Sequence, residues 1–250
     1  LYAEAAGMSL SLLGALLLGA RLLDAGIDPL LGAWSDRSRR RQRLIVFALP
    51  GLAIGMLALL NPPSTAAPLW LLASLLLTYF AFSLASVAYQ AWGAELGSNT
   101  GERTRLTASR EGFGLLGVIV AAALPGLLSS DLAQGLSGFA KLFPLLLLLL
   151  ASWTLLATPA AAYRPPVRGS LLADLGSVLG DDRFRHLLLV FVLNGIAAAL
   201  PATLVLFFVA DVLQADAWSG AFLALYFASA VAFLPFWVGL ARRFGRVRSW

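Results

Sequence analysis

Cysteine is absent from this sequence, and histidine occurs once, at His186. Without a thiol the chain can form neither a disulfide nor a thiolate metal site, and a single histidine argues against a histidine-based metal centre. Charged residues are scarce too: they make up 12% of the 250 residues, whereas a typical soluble protein has about 25%. Hydrophobic residues make up 60%. We therefore expect a protein for which water is not the only solvent.

Apolar runs of about 20 residues recur along the chain, and each is long enough to cross a bilayer core of roughly 30 Å as a helix. Backbone groups in lipid must bond internally, and the runs lack the alternation of a membrane barrel strand. We therefore predict an all-α membrane protein with seven spans. The predicted spans are 9–33, 44–60, 69–91, 111–129, 139–160, 184–210 and 217–240.

The connections between these spans alternate between basic and non-basic. Those that carry arginines are 35–43, 97–105, 163–185 and 241–248. Those without a basic residue are 61–68, 129–138 and 211–217. Basic connections stay on the cytoplasmic side of a membrane. We therefore expect a multi-pass protein of the inner (plasma) membrane, with residue 1 outside and residue 250 in the cytoplasm.

The first span contains two carboxylates, Asp24 and Asp28. They are four residues apart, so they lie one turn apart on one helix face, with Arg21 near the same face. A charge at mid-bilayer costs about 2.5–3.5 kcal/mol on the mildest scale, and like charges repel, so a cation, a proton or Arg21 must compensate. Two interpretations stay open. Either Arg21 neutralises Asp24 while Asp28 caps the helix or meets the wet interface before Pro29, or both carboxylates form a cation or proton site.

Three stretches carry a family resemblance. The segment "GAWSDRSRRR" (32–41) fits the pattern G-x-x-x-D-R-x-x-R-R and resembles the cytoplasmic signature loop of the major facilitator superfamily, with an ordinary arginine-rich loop as the alternative. The segments "RLLDAGIDPLLGAWSDRSR" (21–39) and "AYQAWGAELGSNTGERTRLTASREGFGLLG" (88–117) resemble the glycoside–pentoside–hexuronide:cation symporters of that superfamily, the family of melibiose permease. A weaker second copy of the signature is "FWVGLARRFGRVRS" (236–249).

The resemblance implies an incomplete major facilitator fold, with about seven of twelve transmembrane helices. The chain would start at the end of the family's first helix and stop just after its eighth. It would comprise an N-terminal bundle at 1–162 (the family's helices 2–6), a cytoplasmic linker at 163–183 and the start of a C-terminal bundle at 184–250 (helices 7–8).

The resemblance also implies a coupling-ion site. Asp24 and Asp28 match the acidic positions that hold the coupling cation in the family, and Ser83 falls near the hydroxyl residue that completes the site. Ile27 stands where melibiose permease has an amide, directly before the second aspartate. That departure weakens the case for Na⁺ and favours a proton.

For the substrate, Arg110 matches a binding arginine of the family, whereas Ser86 stands roughly where an acidic residue is expected, so galactoside specificity is in doubt. Three glutamates could instead pair with Arg110: Glu95, Glu102 and Glu111. Gln90 and Asn194 are further candidates for substrate contact. Their alternatives are an interfacial position for Gln90 and a helix–helix hydrogen bond for Asn194.

A candidate cytoplasmic gate follows from the signature loop and the next basic connection. Its residues are Gly32, Asp36, Arg37, Arg40, Arg41, Glu95, Arg103 and Arg105. We expect Gly32 to let helices approach and Asp36 to accept from a neighbouring helix end. We expect Glu95, Arg103 and Arg105 to form ion pairs that open and close.

These expectations predict a secondary active transporter: H⁺- or Na⁺-coupled symport of a sugar or glycoside by alternating access. The alternatives are a carrier of a non-sugar substrate, such as a lipid or drug-like molecule, and a membrane binding protein that does not transport. We expect no enzyme, since no nucleophile–base or metal-ligand cluster lies at membrane depth, and no use of ATP, since no P-loop occurs. The expected partners are a small molecule and the bilayer, with no cofactor beyond the coupling ion, no nucleic acid and a monomeric state.

Overall fold

The computed structural model describes residue 2 and residues 7–38, 40–63, 67–159, 176, 178–215 and 218–245. The chain divides into two compact units, Leu1–Pro166 and Val167–Trp250. Most of the predicted linker at 163–183 lies outside the described residues, and so does the end of the second signature copy, from residue 246.

Every secondary-structure element in the described part of the chain is a helix, which confirms the predicted all-α class. The first unit contains α1 (Leu10–Arg37), α2 (Arg41–Leu59), α3 (Ala67–Leu96), α4 (Thr100–Leu128) and α5 (Leu132–Ala157). The second unit contains α6 (Asp182–Phe207), the π-helical turn Phe208–Val212 that continues it, and α7 (Ser219–Phe244).

Six of the helices within the described ranges, α1 to α6, are long and apolar enough to cross a membrane. The seventh, α7, holds a shorter apolar stretch, Ala228–Ala241. Their outward faces carry many large exposed apolar side chains, such as Phe113, Leu127 and Leu156. Because water-soluble monomers rarely leave large apolar patches uncovered, these faces fit a multi-pass membrane protein.

Two helices begin earlier than the apolar pattern predicts, because polar residues cap them. At the start of α4, the Asn99 side chain accepts from the Glu102 backbone N–H at 2.9 Å. The Glu102 carboxylate accepts from the Ser98 hydroxyl at 2.7 Å and from its backbone N–H at 2.9 Å. At the start of α5, the Asp131 side chain accepts from the Gln134 N–H at 2.8 Å. Such caps satisfy N–H groups that the first helical turn leaves unpaired, so both helices extend into segments predicted as connections.

Helix α3 is the most buried of the candidate spans and packs mainly against α2 and α1. Helices α4 and α5 pack against each other, and α5 also reaches α2. Two apolar clusters form the core. The Leu31 cluster consists of Leu31, Leu44, Ile45, Ala48, Leu84, Ala88 and Trp92. The Met8 cluster consists of Tyr2, Met8, Ala20, Ala67, Leu71 and Leu75.

The α2–α3 interface depends on small residues. A Cβ added to Gly55 would lie 2.5 Å from the Thr78 hydroxyl oxygen and 3.0 Å from the Thr78 backbone nitrogen. One turn earlier, a Cβ on Gly51 would lie 3.2 Å from the Ala81 Cβ. Small residues spaced by four let helix backbones approach closely in membranes, where van der Waals packing drives association. This pair therefore fixes how closely α2 approaches α3.

We predict that Gly55→Ala lowers stability by about 1–3 kcal/mol, because the added methyl group overpacks the contact with the Thr78 backbone. Unfolding of the purified full-length protein by SDS measures the loss. The matched control is Gly14→Ala on α1, where an added Cβ meets no heavy atom within 4 Å. Equal unfolding midpoints for the two variants would show that the interface tolerates the methyl group.

Candidate functional site

A buried hydrogen bond joins the two helices on which the predicted ion site depends. The Ser83 hydroxyl on α3 donates to Asp24 Oδ1 on α1 at 2.8 Å. Both residues are buried, with 9% of Asp24 and 8% of Ser83 exposed. The contact lies between the two apolar clusters, since Ala20 belongs to the Met8 cluster and Leu31 to the Leu31 cluster. The structure thus brings together two of the three residues predicted for the site.

Arg21 occupies the other oxygen of the same carboxylate. Its Nη1 donates to Asp24 Oδ2 at 3.3 Å, from one turn earlier on α1. The guanidinium also lies over the Tyr79 ring of α3, with 5.5 Å between Cζ and the ring centroid. Asp24 therefore has a hydrogen bond on one oxygen and an ion pair on the other, which is how a buried carboxylate is stabilised.

Asp28 differs from Asp24 in what surrounds its carboxylate. Its Oδ1 is buried and has no hydrogen-bond partner among the described residues. Helix α1 continues through Pro29 to Arg37, so Asp28 does not cap a helix end. A buried carboxylate oxygen without a donor is unfavourable unless a proton or cation reaches it. Of the two carboxylates, Asp28 is thus the one with a buried oxygen that no described residue contacts through a hydrogen bond.

The candidate site offers few acidic or imidazole ligands. Nowhere in the described ranges do three or more His, Cys, Asp or Glu side chains come together as a metal site. A metal cation at this position would therefore need hydroxyl or backbone oxygens besides the carboxylates, which are the ligands that hard cations accept.

Arg41 ties three helix ends together, and we call these contacts the Arg41 clasp. From the first residue of α2, Nη1 donates to the Ser35 hydroxyl at 2.6 Å and Nη2 to Asp36 Oδ1 at 3.1 Å, both on the last turn of α1. The same guanidinium donates from Nε to Glu95 Oε1, near the end of α3, at 3.0 Å, and its Nη2 lies 2.9 Å from that oxygen as an ion pair. Arg41 also lies close to the C-terminal ends of α1 and α3, where a cation is favourable.

At the candidate gate, one contact agrees with what the sequence predicted and two differ from it. Asp36 accepts from the start of α2, in agreement with the expected contact with a neighbouring helix end. The ion-pair partner of Glu95 within the described residues is Arg41, and the Nε of Arg103 instead donates to the Gly97 carbonyl at 3.1 Å. Among the described residues, the close approach expected at Gly32 is not found, because an added Cβ there meets no heavy atom within 4 Å.

The other predicted residues take no part in the Asp24–Ser83 hydrogen bond. Arg110 pairs with its neighbour Glu111 at 2.5 Å, which is one of the alternatives for that arginine. Ser86 is half-buried one turn after Ser83, whereas Gln90 is exposed. Asn194 lies in the second unit and is exposed there. The remaining gate residues, all exposed, are Arg37, Arg40 and Arg105.

Two contacts have no counterpart in the sequence analysis. One is the Tyr79 ring beneath Arg21; its signal was the spacing of four residues between Tyr79 and Ser83, which places both on one face of α3. The other joins Trp92, 2% exposed, to the segment after α5, since its indole N–H donates to the Pro159 carbonyl at 3.1 Å. Nothing in the sequence pattern indicated that contact.

The sequence model of the family described as MFS/sugar transport protein matches residues 1–250. The chain belongs to this major facilitator family. It is also similar to the inner membrane symporter YicJ of Escherichia coli (strain K12), with 23% identity over 237 residues, covering 90% of this chain and 52% of the relative. The chain thus spans about half the length of the curated relative that it matches. These matches confirm the family recognised from the sequence, which is one of membrane transport proteins.

We predict that Arg41→Gln lowers stability by about 1.5–3 kcal/mol, because it removes charge-assisted hydrogen bonds from a mostly buried guanidinium. The matched control is Arg110→Gln, whose pair with Glu111 is more exposed. An exposed pair of that kind contributes about 0–1 kcal/mol. Chemical unfolding of both variants measures the difference, and an equal loss of stability in the two would contradict a special role for the clasp.

Proposed function

We propose that this protein is a secondary active transporter that couples H⁺ or Na⁺ to the symport of a sugar or glycoside by alternating access. The observation that supports this proposal most strongly is the buried contact between Asp24 and Ser83, next to a second carboxylate with an unpartnered oxygen. Intramembrane carboxylates of this kind are functional candidates. The membership of a sugar transport family and the similarity to a protein named as a symporter agree with it.

In this proposal the coupling ion binds at Asp24, Asp28 and Ser83. The proton is the favoured ion, because Ile27 stands directly before Asp28 and packs against the Leu31 cluster, where an amide would add an oxygen ligand. Both oxygens of Asp24 are already engaged, by Ser83 and by Arg21. A proton needs one free carboxylate oxygen, whereas a metal cation needs several ligands in defined geometry.

The substrate is proposed to be a sugar or glycoside held by hydroxyl, amide and guanidinium groups. Ser86 and Gln90 follow Ser83 on α3 at three and seven residues, so one helix face carries the three polar side chains. Arg110 would bind the substrate after its ion pair with Glu111 breaks. Asn194 of the second unit would also contact the substrate. The absence of a carboxylate at Ser86 favours substrates other than galactosides and keeps a non-sugar carrier as the second candidate.

The remaining parts of the proposal concern the cycle and the membrane. The Arg41 clasp would hold the ends of α1, α2 and α3 together in one state and release them in another, with Arg103 and Arg105 on the first two turns of α4. The bundles would be 1–162 and 184–250, joined by the linker at 163–183. We place the protein in the inner membrane as a monomer, with the arginine-rich connections in the cytoplasm.

We predict that Asp24→Asn and Asp28→Asn each reduce gradient-driven uptake by at least about tenfold, because each removes a charge that the ion compensates. The assay uses the full-length protein in proteoliposomes, with imposed Na⁺ or H⁺ gradients and a panel of glycosides, pentoses and hexuronates. The matched control is Asp131→Asn, which also removes one carboxylate but keeps an N-cap for α5.

The three outcomes have different meanings. Uptake lost in both variants and kept in the control supports ion coupling at this site. Uptake that persists in both variants removes the aspartates from coupling and leaves a structural ion pair with Arg21. Uptake of no sugar by the wild type contradicts the sugar assignment and favours the non-sugar carrier.

We predict that Ile27→Asn increases the dependence of uptake on Na⁺ relative to H⁺, because the amide supplies an oxygen ligand next to Asp28. The control is Ile27→Val, which keeps the apolar contact with the Leu31 cluster. Uptake is measured against Na⁺ concentration at fixed pH, balanced with choline. An unchanged Na⁺ dependence in Ile27→Asn would show that this position does not select the ion.

A further inference from the structure

The arginine beside the candidate site is held from two sides. Its guanidinium donates to Asp24 Oδ2 at 3.3 Å and lies 5.5 Å from the centre of the Tyr79 ring. The two contacts come from different helices, α1 for the carboxylate and α3 for the ring. One conformation of the Arg21 side chain makes both contacts, so the ring stabilises Arg21 in the position where it pairs with Asp24.

The exposure of the two partners differs sharply. The Asp24 side chain is 9% exposed, whereas the Arg21 side chain is 68% exposed. An arginine that the protein packs on only one side has many rotamers, and ordering it costs entropy that weakens its ion pair unless something else restricts the side chain. A tyrosine ring face does so, since guanidinium groups stack on aromatic rings. The orientation of Arg21 therefore depends on Tyr79.

We propose that Tyr79 is a positioning residue that sets the affinity for the coupling ion, by holding Arg21 against Asp24 as a built-in competing cation. The inference rests on the proposed function, because it requires that an ion binds at Asp24. An arriving cation competes with Arg21 for Asp24 Oδ2, since two cations at one carboxylate oxygen repel each other. Every contact that holds Arg21 in place then weakens ion binding, and the ring contributes to this although it touches neither the ion nor the substrate.

Whether loss of the Tyr79 ring raises or lowers the ion affinity follows from the competition between Arg21 and the coupling ion. Removal of the ring face frees Arg21 and lowers the occupancy of its contact with Asp24 Oδ2. The coupling ion then meets a weaker competitor and binds more tightly. A purely structural role predicts the opposite, because a cavity beside the Met8 cluster, against which Tyr79 packs, would loosen the site and weaken ion binding.

The test measures the half-saturating concentration of the coupling ion for substrate exchange by the full-length protein in proteoliposomes. Na⁺ is titrated against choline at fixed pH, and H⁺ is titrated in sodium-free buffer. The variants are Tyr79→Leu, Tyr79→Phe, Arg21→Gln and the double variant Tyr79→Leu/Arg21→Gln. The matched control is Phe80→Leu, which removes the neighbouring ring on the same helix.

We expect Tyr79→Leu to lower the half-saturating concentration about two- to fivefold, as the strength of an exposed cation–π contact implies. Tyr79→Phe keeps the ring face and restores the wild-type value, and Phe80→Leu leaves that value unchanged. Arg21→Gln lowers it at least as far. Tyr79→Leu then adds nothing in the Arg21→Gln background, since the two changes act on one competitor.

Four results would overturn the inference. An unchanged or weaker ion affinity in Tyr79→Leu does so. So does a double variant in which Tyr79→Leu lowers the half-saturating concentration as much as it does without Arg21→Gln. If the wild type responds to neither ion, both the inference and the proposed function fall. If Tyr79→Leu fails to fold, the comparison of Arg21→Gln with wild type decides, because an unchanged affinity there excludes Arg21 as a competitor.

Discussion

The carboxylate of Asp24 lies between apolar helices, where an isolated charge is strongly disfavoured. Its two oxygens are satisfied by a hydroxyl from α3 and a guanidinium from its own helix. This arrangement requires that α1 and α3 lie side by side in one register, with Ser83 level with Asp24. The helices of the first unit therefore pack in a way that forms this contact and also buries apolar surface.

Helix α3 meets that requirement because it presents different residue types to its two neighbours. Toward α2 it offers Thr78 and Ala81, against which Gly55 and Gly51 approach closely. Toward α1 it offers Tyr79 and Ser83. In lipid, apolar surface alone does not drive helices together, so close packing and interhelical hydrogen bonds select the arrangement. The polar site and the small-residue interface hold the same helix from two sides.

The candidate ion site and the Arg41 clasp use the same pair of helices. Asp24 and Asp36 lie on α1, and Ser83 and Glu95 lie on α3, so a relative shift of the two helices would change both sets of contacts. Asp28 lies between them on α1, with an oxygen that has no hydrogen-bond partner in the described part of the chain. In the proposed transport cycle, a change of charge at Asp28 would act between the two sets of contacts that join α1 to α3.

Much of this protein follows from local pattern in the sequence. Long apolar runs predicted the helices, the spacing of four predicted that Asp24 and Asp28 share a face, and the signature segments predicted the family. The early starts of α4 and α5 were missed, because Asn99 and Asp131 cap turns that an apolar pattern does not reveal. Local pattern does not reveal partners that are far apart in the sequence. Ser83, 59 residues from Asp24, was placed at the site only through the family resemblance, and Glu95, 54 residues from Arg41, was not predicted as the partner of that arginine. Which side chains meet across that separation depends on how each helix is rotated and shifted against its neighbour, and only the packing of the whole bundle decides that.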